Sequence, residues 1–317
     1  MPRRLELPVR GGRSATSTVE AVTATRTVQA DGVEIACVVS DSIDDHDRPL
    51  AVCVHGFPDT PHTWRHLMPR LESAGWRVAA PFLRGYAPSG VPDDGCVQTG
   101  ASSLDMIAIH AALGGDRRAA IIGHDWGAPI TYGAANHAPD RWSKVVGMAV
   151  PPGPALATAF LTNPDQLKKS WYMFFFQHPL ADMVVPADDL AFIEMIWNDW
   201  SPGYDGTDDV RAVKHALRDP AHLAAALGYY RAALSGVGVR DELADVQAAT
   251  SAMSGGCSES HIVGNEDGLH RIALGAGQLG RESEVQAVAG VVLDDEQRAG
   301  RTGCRTNGGQ NGVGTRR

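Results

Sequence analysis

The chain stops using aromatic residues long before it ends. All seven Trp, six Tyr and seven Phe lie at or before Tyr230, which leaves the last 87 of 317 residues without one. Aromatic rings supply much of the buried area of a core, so this final stretch has little to pack with. From Ser251 onward it also holds no Lys and 14 Gly. Other shortages bound the chain as a whole. No run approaches the ~18 consecutive apolar residues of a helical membrane span. The start, Met1-Pro2-Arg3-Arg4-Leu5-Glu6, has basic side chains with no apolar stretch behind them, so a secretory signal is not expected. Cysteine is scarce. Five residues (Cys37, Cys53, Cys96, Cys257 and Cys304) are odd in number and lack the short spacings of metal ligands. This argues against a disulfide scaffold or a metal site and predicts a reduced, cytoplasmic setting. Excess positive charge is missing too. A net charge of −9 offers no attraction to nucleic acid.

What remains is ordinary for a globular protein: 44% hydrophobic and 21% charged residues. The length suits one large α/β domain with an insertion, or two medium ones. Residues 1–22 are rich in Arg, Ser and Thr without period and read as a loose tail. Within 23–150, segments 25–35 and 35–40 flank the Asp31-Gly32 turn and suggest a hairpin. Strands are expected at 50–54, 77–80, 119–122 and 145–150. Between them, helices are expected where Trp64, Leu67, Met68 and Leu71 recur at helical spacing, and at 103–113 and 126–138. Strands alternating with helices imply a mostly parallel sheet covered on both faces. From 151 to 243 the pattern turns helical and aromatic, with segments at 166–176, 187–197, 210–217 and 221–234.

The chemistry concentrates at Gly123-His124-Asp125-Trp126-Gly127, directly after the apolar run Ala119-Ala120-Ile121-Ile122. This is the small-x-nucleophile-x-small pattern of a strand-to-helix elbow, with aspartate where serine normally stands. A carboxylate nucleophile attacks carbon and leaves an ester, so the substrate should present an electrophilic sp³ carbon, as in an epoxide or a haloalkane. The two glycines allow the close backbone approach that the turn demands. The Trp126 N–H, at a helix N-terminus, and the Phe57 N–H would form an oxyanion hole. His55 and His124 are expected to be held by local hydrogen bonds rather than to act as bases. Arg84 is expected to tie loops together, and Tyr229 to be structural.

Taken together, His55-Gly56-Phe57-Pro58, Arg84-Gly85-Tyr86-Ala87-Pro88-Ser89-Gly90 and the Asp125 elbow resemble the epoxide hydrolases of the α/β-hydrolase superfamily, over residues 25–249. The resemblance implies an α/β-hydrolase fold with a helical cap (151–243) inserted after the sixth strand, and a cis bond before Pro58. It assigns Asp125 as nucleophile and two cap tyrosines, Tyr172 and Tyr230, as donors to the epoxide oxygen. A phenol suits that task, being a poor acid in water but a good donor to a far more basic alkoxide. Trp126, Phe57, Trp171 and Phe175 are the substrate-wall candidates, although the aromatic run 174–176 also reads as packing. No cofactor or metal is implied. The partners are a small epoxide and water, with no nucleic acid and no membrane, and a homodimer is compatible with all of this. A haloalkane dehalogenase shares the Asp-Trp pair but normally has Asn where Phe57 stands and lacks the tyrosines. A catalytically silent ligand-binding protein is the reading from another class.

Hydrolysing the ester requires a histidine and a supporting acid. In the resembled family these come late, the histidine usually within Gly-His-x-x-x-x-Glu, and nothing after Leu243 reproduces that signature. Asp267 as acid and His270 as base are the weak candidates. Residues 244–317 therefore form a nominal C-terminal part of the core, expected to be incomplete or disordered. The expectation is that the natural reading frame is lost between Ala249 and Gly264, leaving a protein impaired in ester hydrolysis.

Overall fold

A computed structural model describes residues 24–235, 240–249 and 260–263. Its frame is a seven-stranded sheet. The strands are β1 (Ala24–Ala30), β2 (Val33–Val39), β3 (Leu50–Val54), β4 (Arg77–Pro81), β5 (Ala119–His124), β6 (Trp142–Met148) and β7 (Ser260–Val263). They lie in the order β1-β2-β4-β3-β5-β6-β7. β1 and β2 form the antiparallel hairpin expected around Asp31-Gly32, and β2 pairs antiparallel with β4. From β4 through β3, β5 and β6 to β7 every pairing is parallel.

The strand pattern explains the layers. Leu50, Val52 and Val54 of β3 face one side, with Ile121 of β5 and Val145 of β6. Ala51 and Cys53 face the other side, with Ile122 and Val146. Both faces are apolar because both are covered. The first is packed by α2 (Thr99–Ala112), through Met106 and Ile109, and by α3 (Gly127–His137), through Ile130 and Ala134. The second is packed by Trp64, Leu67, Met68 and Leu71. These four form the expected apolar stripe but not one continuous helix. A 3₁₀ segment, Pro61–His66, gives way at Leu67 to α1 (Met68–Ser73). Pro69 is the reason. It is tolerated in the first turn of α1, whereas in one helix it would break the ladder and clash with the carbonyl four residues back.

Between β6 and β7 comes a helical block. It consists of α4 (Gly153–Thr162), α5 (Pro164–Lys169), α6 (Trp171–Phe175), α7 (Ala181–Val184), α8 (Ala187–Trp200), α9 (Thr207–Leu217) and α10 (Pro220–Ser235). A short α11 (Ala244–Ala249) follows. The expected helix 166–176 is two helices broken at Ser170. α2 begins a turn earlier than expected, at Thr99. The block is anchored to the sheet by polar ties. Arg65 bonds both carboxylate oxygens of Asp209 in α9, at 2.6 and 3.0 Å, and the Trp197 indole donates to the Pro58 carbonyl at 2.8 Å. No helix among the described residues is long and apolar enough to cross a membrane.

Candidate active site

The strand order creates the site before any side chain is considered. From β3 the chain runs outward to β4 on one side and to β5 on the other. The crevice at the carboxyl ends of strands around such a switch is where open α/β sheets bind ligands. Here the end of β3 supplies Gly56 and Phe57, and the end of β5 supplies Asp125.

Asp125 bridges β5 and α3 with φ of 53°, a left-handed conformation that costs an ordinary residue of order 1–3 kcal/mol. The neighbours are built to hold it. A Cβ on Gly123 would run into the Gly127 carbonyl, one on Gly127 into the Val54 carbonyl, and one on Gly56 into the Asp125 side chain. The carboxylate is buried, with 8% exposure. The Phe57 N–H donates to its Oδ1 at 2.8 Å, and the Trp126 N–H also bonds it. Burial pushes its pKa up to about 6, against the pull of those two donors.

That shift has a stability consequence. Because the folded pKa lies above the unfolded value, the native state holds an extra proton between about pH 6 and ~4, and stability rises as pH falls through that window. At pH 7 the ionised carboxylate is a net cost. Asp125→Asn keeps an oxygen for the Phe57 N–H and removes the charge. It is expected to stabilise the fold at pH 7 by about 1–3 kcal/mol, with the gap shrinking below pH 6. Urea titrations at pH 7.5 and pH 4.5 check this. A variant less stable than the wild type at the higher pH would contradict it.

Above the carboxylate stand Tyr172 on α6 and Tyr230 on α10, 3% and 2% exposed. Their ring centres are 5.7 Å apart, and Tyr230 packs edge-on against Trp126 at 5.0 Å. Burial, together with the negative charge of Asp125, pushes both phenols up, so they stay protonated at neutral pH. The two tyrosines, Asp125 and Trp126 share one cleft of about 230 Å³. Its remaining walls are mostly apolar, among them Pro129, Val150, Leu156, Phe160, Met173 and Leu234.

Other expected residues sit elsewhere. Phe57 reaches the site through its backbone. Its ring is buried against Phe176 and Tyr230 and does not line the cleft. Trp171 is also off the cleft, with 42% exposure, because α6 turns Tyr172 inward and so its neighbour outward. Phe175 stacks on Phe192 of α8 at 5.7 Å, inside the helical block. Neither ring is a wall of the pocket. His55 uses both nitrogens locally. Its Nε2 accepts from the Leu83 N–H at 3.1 Å, which leaves Nδ1 to donate to the Gly56 carbonyl at 2.8 Å. Burial lowers its pKa to about 4, and does the same to His124. Arg84 grips Asp105 through two bonds, at 2.7 and 2.6 Å, and Tyr229 donates to the Arg84 carbonyl at 3.0 Å. Asp267 and His270 lie outside the described residues.

Several wall residues had no signal in the chain's pattern. Gln247 of α11 lines the cleft and bonds the Gly100 N–H and the Thr99 hydroxyl, at 2.7 and 2.9 Å. Phe160 and Leu156 arrive from α4, whose apolar residues show no single face. The Phe57–Pro58 bond is cis, as the resemblance implied, and so is Ala87–Pro88.

Comparison with known proteins bears on this geometry. Residues 49–182 match the family model described as alpha/beta hydrolase fold. The chain is 31% identical over 217 residues to the AB hydrolase superfamily protein YfhM of Bacillus subtilis, covering 65% of this chain and 75% of that protein. It is 39% identical over 114 residues to epoxide hydrolase B of Mycobacterium tuberculosis, covering 36% of this chain and 32% of that protein. The curated epoxide hydrolases it matches are covered over about a third to a half of their length. The structure of Bacillus megaterium epoxide hydrolase in complex with an inhibitor superposes with a TM-score of 0.62 at 20% identity, over 85% of this chain and 100% of that one. That last likeness is one of fold.

Proposed function

The chain belongs to the α/β-hydrolase superfamily, and from that membership we propose that it opens epoxides through an ester on Asp125. One observation carries the reading: a buried carboxylate, strained on an elbow and bonded by the Phe57 N–H at 2.8 Å, shares its cleft with two buried phenols. The helical block serves as the cap that brings those phenols over the nucleophile.

The first step balances within the site. Asp125 Oδ2 attacks one ring carbon, the C–O bond breaks, and the electron pair goes to the ring oxygen. Tyr172 or Tyr230 supplies the proton. Oδ1, already bonded to the Phe57 N–H, becomes the ester carbonyl oxygen. In the second step water adds to that carbonyl, the Phe57 and Trp126 N–H groups hold the oxyanion, and the diol leaves. Activating the water needs a base. Among the described residues no histidine lines the cleft. The reading therefore keeps the expectation of slow ester hydrolysis. It also keeps a reducing, cytoplasmic setting, in line with the unpaired, buried Cys37, Cys53 and Cys96. A homodimer remains compatible with it.

Styrene oxide and 1-bromobutane separate the alternatives in one experiment that follows intact protein mass, diol and bromide. A mass gain of one styrene oxide per chain, with little diol beyond one equivalent, is the expected result. Fast multiple turnover would remove the impairment but keep the activity. Bromide release without epoxide opening would favour a dehalogenase. Neither adduct nor product would leave a silent binder.

A further inference from the structure

The cleft holds more hydrogen-bond donors than an epoxide oxygen can use. An oxirane oxygen has two lone pairs, and the two phenols suffice to fill them. Trp126 adds a third donor. Its indole Nε1 is buried and has no hydrogen-bond partner, and the Tyr230 hydroxyl beside it is in the same condition. The two rings stand 5.0 Å apart at 70°, close enough for the indole N–H to draw the Tyr230 pKa down but not placed to satisfy either group. The other polar wall groups, Thr99 and Gln247, bond one another at 2.9 Å. Indole is a donor only, so its need can be met only by an acceptor. A hydrocarbon substituent would shut the N–H away from water and return nothing, whereas a substituent oxygen would meet it.

Resting on the epoxide reading above, we propose that the Trp126 indole N–H is a specificity-determining donor. Through it the cleft selects epoxides that carry an ether or carbonyl oxygen close to the ring over hydrocarbon epoxides of the same shape. The apolar walls from Leu156 to Leu234 then take the remainder of such a molecule.

Phenyl glycidyl ether and 1,2-epoxy-4-phenylbutane differ only in an oxygen replacing a methylene, which makes them the matched pair for the test. The rate of adduct formation is measured for each by intact mass, with wild type and with Trp126→Phe, which keeps a ring against Tyr229 and Tyr230 but loses the N–H. The ratio of ether to hydrocarbon rates is expected to fall about tenfold in the variant, the size of one buried hydrogen bond. Intrinsic reactivity cancels because the same two compounds meet both proteins. Adducts forming at an unchanged ratio overturn the donor role alone. Absence of adduct from either compound in the wild type overturns the epoxide reading, and this inference with it. A second measurement needs no variant: ethoxybenzene and propylbenzene compete for the wild-type cleft, read as protection of Asp125 from alkylation. The ether should protect about tenfold better once each is corrected for its octanol–water partition. Equal corrected protection overturns the proposal.

Discussion

Changing Tyr172 and Tyr230 together to Phe is expected to slow alkylation of Asp125 by about 10²–10⁴-fold, the usual worth of a positioned general acid. The effect is chemical rather than structural because phenylalanine keeps the ring contacts. Tyr172 packs on Trp200 at 4.6 Å, and Tyr230 on Phe176 and Trp126, both at 5.0 Å. The hydroxyls are lost, and without them the breaking C–O bond leaves an alkoxide in a dry cleft. Single changes should cost less, since the remaining phenol can still donate. Quenched-flow intact mass with styrene oxide measures all three variants. A double variant as fast as the wild type would strip both tyrosines of the role given them.

Asp105→Ala is expected to destabilise the fold by about 3–5 kcal/mol, the cost of leaving a buried charge without its partner. Arg84 and Asp105 are both 1% exposed and joined by two bonds. Arg84 also donates to the Cys96 carbonyl at 3.0 Å, and its own carbonyl accepts from Tyr229. The pair thus pins the loop after β4 to α2 and to α10, which carries Tyr230. Removing only the carboxylate strands the guanidinium. Replacing both members, as Arg84→Met with Asp105→Leu, should recover much of the loss, because buried pairs often tolerate apolar substitutes of similar volume. Urea denaturation of the single and double variants tests this. A loss below about 1 kcal/mol in Asp105→Ala would mean that the loop relaxes to let water reach Arg84.

The features legible in the sequence were those with strong local causes. The elbow could be read because an apolar strand, two obligatory glycines and a helix start coincide around Asp125. Arg84 and Tyr229 were read as structural, and both are bonded that way. Tyr172 and Tyr230 came from resemblance alone, since nothing in their spacing marks a phenol as facing a cleft. Trp171 and Phe175 show the limit. Neighbours on a short helix point in different directions, and an aromatic cluster such as 171–176 packs against itself as readily as against a ligand. Gln247 shows another limit, because it reaches the cleft through the docking of α11 on α2, a long-range event with no periodic trace. Pro69, by contrast, was visible and its break in the helix was underweighted.

The most direct measurement is the site of the covalent bond. The protein is treated with styrene oxide, quenched, digested, and mapped by tandem mass spectrometry. The account predicts a hydroxyphenylethyl ester on Asp125 and no modification in the Asp125→Asn variant. An adduct on any other residue, or an unchanged adduct in that variant, would contradict it.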